Sequence, residues 1–96
     1  MATPEGAVKN KCKAYLVSVG AWHFSPPSNG FGRSGIPDLV CCHKGRFYGI
    51  EVKAPGKIKN TTTMQDREIA AINDAGGTAL VVDDWTQLKP IFEGNP

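Results

Sequence analysis

Apolar side chains near the start of the chain recur at helical spacing. After Thr3-Pro4-Glu5 they fall three or four positions apart, at Val8, Cys12, Tyr15, Leu16 and Val19. Threonine favours the N-cap, proline the first helical position and glycine the end of a helix, so this pattern predicts a helix between Thr3 and Gly20. Glu5 shares the apolar stripe, where it either complements the helix dipole or belongs to a site.

Two apolar runs in the middle of the chain predict a β-hairpin. Leu39–Cys42 and Phe47–Val52 are separated by a short polar break that contains a glycine. With Lys44-Gly45 as a two-residue turn, the register places Asp38 directly opposite Glu51. A four-residue loop keeps this register and a three-residue loop breaks it. Opposed side chains lie about 4.5–5.5 Å apart at Cβ, where like charges repel.

This opposed pair of acids calls for a compensating charge. A divalent cation between the two carboxylates is the obvious candidate. Lys53, two residues beyond Glu51, projects from the same strand face about 7 Å along the strand. Two acids and a lysine on one face of one hairpin form a candidate catalytic site.

Two more segments have the composition of strands. Ala21–Ser25 predicts a short strand with Trp22 and Phe24 on one face and His23 on the other, either simply exposed or in contact with DNA or the site. Thr78–Val82 is an unbroken apolar run, the kind that is buried on both faces and typical of a parallel crossover.

The segment between the hairpin and the last strand predicts a second helix. Thr62 or Thr63 is its N-cap, it runs to Ala75, and Gly76-Gly77 close it. Thr86–Phe92 predicts a short final helix or turn. The predicted order is α-β-β-β-α-β with an optional terminal helix.

One polar residue of this second helix faces inward. Gln65 shares a stripe with Ile69 and Ile72, since the three positions are spaced i, i+4 and i+7. A leucine would be usual at such a position, and inward polar groups need partners. Gln65 is therefore a candidate site residue.

Composition limits the class of protein without naming it. The 96 residues, 41% apolar and 21% charged, predict one ordered domain over 1–96. The net charge of +2 is compatible with nucleic acid but does not demand it. No apolar stretch approaches the roughly 20 residues of a membrane span, and no signal-peptide pattern is present, so we expect a cytoplasmic protein without a membrane partner. The cysteines at 12, 41 and 42 form no CxxC pair and are expected to be reduced apolar fillers, with Cys41 and Cys42 on opposite strand faces.

Two loops carry candidate DNA contacts. The loop 26–35 is long for so small a domain and leads into Asp38, and Arg33 is its one charge. Arg33 is either a phosphate contact or a solvated arginine. The segment 54–60 holds Lys57 and Lys59, which either grip a phosphate backbone or are solvated.

The candidate site belongs to a longer pattern. Pro37-Asp38 followed by Glu51-Val52-Lys53 is the PD…(D/E)xK pattern of a large nuclease superfamily. Gly-Ile-Pro-Asp-Leu at 35–39, Ile-Glu-Val-Lys at 50–53 and a following helix with Gln65 resemble the VRR-Nuc family, from Glu5 to about Val82. The short D-x(n)-E-x-K pattern alone is weak, whereas the longer string with its elements in order is far more specific.

The resemblance implies a restriction-endonuclease-like α/β fold, an α-β-β-β-α-β mixed sheet flanked by helices, and metal-dependent hydrolysis of DNA. The implied ligands of Mg²⁺ or Mn²⁺ are Asp38, Glu51 and the carbonyl of Val52, with a first-helix glutamate, here Glu5, often acting through water. The implied catalytic set is Asp38, Glu51, Lys53 and Gln65.

The same resemblance implies a freestanding bacterial or phage nuclease that cuts branched DNA or Holliday junctions as a homodimer, with no small-molecule substrate. Candidate dimer surfaces are the region of Trp22, Phe24 and Phe31 or that of Trp85 and Phe92, although burial within the monomer is expected for each.

Three other functions fit parts of the pattern. One is a DNA-binding module on the same fold that has no catalytic activity. Another is a small α/β interaction domain whose acid pair is accidental. A restriction-type or transposition-type nuclease is a nearer alternative, but the chain has no specificity domain.

Overall fold

The order of helices and strands is the predicted one. The computed structural model describes residues 2–27 and 32–94. Its elements are helix α1 (Pro4–Ser18), strands β1 (Trp22–Phe24), β2 (Leu39–His43) and β3 (Arg46–Val52), helix α2 (Thr63–Asp74), strand β4 (Thr78–Val82), a 3₁₀ helix (Trp85–Leu88) and helix α3 (Lys89–Phe92). Within these two ranges, no helix is long and apolar enough to cross a membrane.

Helix α1 begins and ends where its capping residues predict. The Gly6 N–H donates to the Thr3 hydroxyl at 2.9 Å, which satisfies one of the free donors at the helix start. Gly20 follows the helix with a φ of 77°, a conformation that other residues adopt at a cost.

The hairpin has the predicted register. Lys44 and Gly45 have φ angles of 51° and 79°, as the two central residues of a type I′ turn require. The pairing of β2 with β3 runs from His43 opposite Arg46 to Leu39 opposite Ile50. One further step places Asp38 opposite Glu51, so this prediction is confirmed.

The described strands form one mixed sheet in the order β1-β2-β3-β4. Strand β3 is antiparallel to β2 and parallel to β4, which confirms the predicted crossover through α2. The prediction that β4 is buried on both faces is wrong, because only Val82 is fully buried. Strand β4 lies at the edge of the sheet, so it lacks a neighbour on one side.

One face of the sheet carries the core. Alternate residues of β2 and β3 pack there against α1 and the C-terminal helices. The fully buried residues of this core are Cys12, Leu16, Leu39, Cys41, Ile50, Val52, Val82 and Leu88. All three cysteines are free, as predicted. Burial raises the pKa of the Cys41 thiol to about 11, which keeps it protonated at neutral pH. Cys42 lies on the opposite face and is exposed, so it is not a core filler.

The second face is only partly covered. Helix α2 packs against β4, and the Ile72 side chain lies over Gly49 of β3. Trp22 and Phe24, on the same face beyond β2, are 61% and 45% exposed, so the prediction that they are buried is wrong. The reason is that α2 does not extend over β1. Phe31 lies outside the described residues, and Trp85 and Phe92 are half-buried beside the core.

A core substitution tests this packing. Leu16→Ala removes a fully buried side chain from α1 and should lower the free energy of unfolding by about 2–5 kcal/mol, since the site cannot collapse completely. Urea denaturation followed by circular dichroism measures it. The exposed neighbour gives the control, because Val17→Ala should change stability by less than about 0.5 kcal/mol. Equal effects of both substitutions would contradict the assignment of the buried face.

Candidate active site

Two carboxyl groups meet on the partly covered sheet face. Asp38 directly precedes β2, and Glu51 lies in β3 with only 3% of its surface exposed. Burial, and then the nearby Asp38 carboxylate, raise the pKa of Glu51 to about 8, against the opposing effect of Lys53. The two acids therefore cannot both be ionised at neutral pH without a compensating positive charge.

Backbone contacts hold Asp38 in place. The Val52 N–H donates to Asp38 Oδ2 at 2.8 Å, so the residue after Glu51 fixes the carboxylate that Glu51 faces. On the other side, the Ser25 hydroxyl donates to the main-chain oxygen of Asp38 at 3.0 Å. Asp38 is thus tied to both β3 and the end of β1, which fixes its position before any ligand binds.

Lys53 and Gln65 complete a hydrogen-bonded network around Glu51. Gln65 Nε2 donates to Glu51 Oε2 at 2.9 Å, and Lys53 Nζ donates to Gln65 Oε1 at 3.0 Å. Lys53 Nζ also lies 3.6 Å from Glu51 Oε2. The inward glutamine thus has the partners that its position demanded, and the structure brings all four predicted catalytic residues together.

Gln65 also closes the start of α2. Its backbone N–H donates to the Thr62 hydroxyl at 3.1 Å, and its Oε1 accepts from the Thr62 N–H at 2.9 Å. This is a capping box, which satisfies two free donors at the helix start. The spacing Thr62-x-x-Gln65 is a sequence signal for such a box, which the apolar stripe of the helix does not reveal.

A cleft of about 350 Å³ opens beside the network. Its described lining consists of Pro26, Pro27, the segment 32–38, Glu51 and Gln65. Gly35 allows the segment to lie against α2, because a Cβ there would be 2.3 Å from the Met64 carbonyl oxygen. At its φ of 81°, a side chain would also be strained. The described end of the loop, from residue 32 to Gly35, thus packs on the start of α2 and borders the site, as predicted.

Arg33 lines this cleft and forms an ion pair with Glu68 of α2 through its Nε. Sequence reasoning found Arg33 but missed Glu68, since an isolated glutamate in a helix usually faces solvent. Glu68 lies three residues after Gln65, and that spacing places both on one helix face.

The other candidate residues lie apart from the network. Glu5 is exposed, and among residues 2–27 and 32–94 no three His, Cys, Asp or Glu side chains form a group that could hold a metal ion. The role of Glu5 as a metal ligand through water stays a prediction. Lys57 and Lys59 are exposed after β3 and do not line the cleft. His23 pairs with Cys41, which puts it on the sheet face opposite Glu51.

The donor set fits a hard divalent cation. Two carboxyl groups, one of them kept from ionising by its burial and then by the other, gain most from an ion that both can contact. Oxygen ligands of this kind suit Mg²⁺ or Mn²⁺ rather than a thiolate-binding metal. Asp38 and Glu51 are the side chains that could hold it, and the backbone carbonyl of Val52 is the further ligand implied by resemblance.

The raised pKa of Glu51 predicts how stability depends on pH. The unfolded chain loses this proton near pH 4.5, whereas the folded protein keeps it up to about 8. In EDTA, stability should therefore fall as the pH rises from about 5 to 8, by up to about 1.4 kcal/mol per pH unit. Urea titrations at several pH values measure this, and Glu51→Gln should flatten the profile. If the stability of the wild type and of Glu51→Gln changed with pH in the same way, the raised pKa of Glu51 would be contradicted.

Comparisons with known proteins point to one family. No family model matches the sequence, and no curated protein matches it. A solved structure described as a VRR_NUC domain is similar over 99% of this chain and 100% of its own length, with a TM-score of 0.75 and 30% sequence identity. The shared architecture is the restriction-endonuclease-like mixed sheet flanked by helices. On this similarity, the chain belongs to the VRR-Nuc family of nuclease-type domains.

Proposed function

We propose that this protein is a metal-dependent endonuclease that hydrolyses phosphodiester bonds in DNA. The observation that carries the proposal is the network around Glu51, in which Asp38, Lys53 and Gln65 meet beside an open cleft. Family membership supports a nuclease-type domain. The network adds a set of groups suited to phosphodiester hydrolysis.

In this proposal Asp38, Glu51 and the Val52 carbonyl hold Mg²⁺ or Mn²⁺. When bound, such an ion polarises the phosphate and lowers the pKa of a bound water. The chain prepares the site for it in two ways. The Val52 N–H orients Asp38, and Gln65 orients Glu51, so both side chains are held in place before an ion binds.

Lys53 is the proposed group that acts on the nucleophile. Its ammonium group lies between Gln65 Oε1 and Glu51 Oε2, where it can orient a water or offset negative charge that develops on the phosphate. Gln65 holds Lys53 through the oxygen that also caps α2. The lysine is therefore positioned by a helix that is itself fixed.

DNA is the proposed substrate, with branched or junction DNA preferred. Arg33 at the cleft and the exposed pair Lys57 and Lys59 are the proposed phosphate contacts. Two sites in a homodimer would allow paired cuts across a junction. We propose that the dimer forms through the exposed surface of Trp22, Phe24 and Phe47, because these aromatic side chains lie on the open sheet face and a monomer seldom leaves such a patch without a role.

Two substitutions test the catalytic assignment. Asp38→Asn should abolish cleavage and leave the fold intact, because it removes a proposed metal ligand. Lys53→Ala should slow cleavage on the order of 10²–10⁴-fold and leave Mn²⁺ binding unchanged by isothermal titration. Flap, nicked duplex, single strand and four-way junction would each be offered with Mg²⁺, Mn²⁺ or EDTA.

The exposed acid at the end of α2 supplies the control, since Asp74→Asn makes the same chemical change away from the cleft and should cleave normally. Unimpaired cleavage by Asp38→Asn or Lys53→Ala would refute the assigned role. DNA binding without metal and without products from any substrate would instead favour the inactive binding module.

Light scattering on a sizing column tests the dimer. The wild type should elute as a dimer, and Trp22→Ser should shift it to monomer, because Trp22 is the most exposed aromatic of the surface. Val17→Ser changes an exposed apolar residue of α1 and should leave the dimer intact. A wild type that is monomeric at working concentrations would overturn both the dimer and paired cleavage.

A further inference from the structure

Glu68 is a buried acid in a helix that is otherwise half-buried or exposed. It is the only buried residue of α2, and 11% of its side chain is exposed. An ionised carboxylate loses hydration when it is buried, so it persists there only with a partner. Among the described residues that partner is Arg33, whose Nε donates to Glu68 Oε2.

Arg33 has the opposite exposure. Its side chain is 71% exposed, although its Nε is engaged by the buried acid. No other hydrogen bond from its guanidinium to the described residues is present. Arginine has five N–H donors in a planar fork, so a contact at Nε leaves the outer donors for a second acceptor.

The charges around the cleft define what that acceptor is. Asp38 and Glu51 line the cleft, and Arg33 is the only cationic side chain among the described residues that line it. An anionic substrate that enters meets the acid pair on one side of the cleft and is attracted by Arg33 on the other. A planar guanidinium matches the oxygens of a phosphate, which it can bind through two parallel hydrogen bonds.

We propose that Glu68 is a positioning residue that holds Arg33 at the cleft as a preset clamp for a backbone phosphate of the substrate. This inference rests on the proposed function and names a further part of the same site. A free arginine loses much rotamer freedom when it binds, and fixing Nε beforehand reduces that loss. Helix α2 thus arranges both sides of the cleft, through Gln65 toward Glu51 and through Glu68 toward Arg33.

The proposal makes a prediction that runs against simple electrostatics. Glu68→Gln removes a negative charge near the cleft, which by itself should strengthen DNA binding. If Glu68 positions Arg33, the same substitution should weaken binding several-fold. Asp74→Asn makes an equal change of charge at the exposed end of the same helix, so it measures the purely electrostatic effect.

Binding and cleavage of a labelled four-way DNA junction test the idea in the full chain. Arg33→Ala should raise the Kd and KM by about 10- to 100-fold, the range for a hydrogen bond to a charged group, with kcat nearly unchanged. It should also reduce the slope of log K against log salt by about one. The variant that combines Arg33→Ala with Glu68→Gln should bind DNA no more weakly than Arg33→Ala alone, because the two residues act as one unit.

Arg33→Lys supplies a second variant that keeps the charge. A lysine ammonium is one compact group without the fork, so it cannot hold Glu68 and a phosphate in the same way. The Kd of this variant should approach that of Arg33→Ala. A Kd equal to the wild type would show that charge alone suffices and would overturn the clamp.

Other outcomes separate the inference from the proposed function. If Glu68→Gln and Asp74→Asn bind DNA with the same Kd, the positioning role of Glu68 is overturned. A lower melting temperature of Glu68→Gln would then show that its ion pair with Arg33 is purely structural. A wild type that binds DNA but cuts no substrate would contradict the proposed function, while the binding measurements would still decide the roles of Arg33 and Glu68.

Discussion

Two carboxyl groups held face to face are the constraint on which the rest of the structure depends. The hairpin register brings Asp38 opposite Glu51, and burial of Glu51, followed by the nearby Asp38 carboxylate, raises its pKa to about 8. Such a pair is tolerated only if neighbouring groups fix it or offset its charge. The Val52 N–H fixes Asp38 and Gln65 fixes Glu51. Lys53 offsets part of the negative charge. The remaining charge is the basis of the proposed metal site.

Helix α2 is the element that turns this pair into an organised cleft. Gln65 caps the helix and contacts both Glu51 and Lys53, so its orientation is set by the start of the helix before any ligand arrives. The close packing of Gly35 on Met64 brings the loop against the same helix turn. Assembly of the site and formation of the first turn of α2 are therefore coupled, and loosening of that turn would disturb Glu51 and Lys53 first.

The uneven covering of the sheet explains where the site lies. Helix α1 and the C-terminal helices cover one face and form the core, whereas α2 covers only the β3 and β4 side of the other. The uncovered part leaves Trp22 and Phe24 exposed.

The sequence by itself determined the order of elements, the helix caps, the turn at Lys44-Gly45 and hence the opposition of Asp38 and Glu51. These follow from local rules. A two-residue turn fixes which residues of the two strands are paired, and the alternation of side chains along a strand fixes the sheet face on which each one lies. Tertiary structure alone decided that Glu68 is buried against Arg33, that β4 is an edge strand and that Trp22 is exposed. Each of these depends on which distant element covers a surface, and the periodicity of a segment contains no information about that.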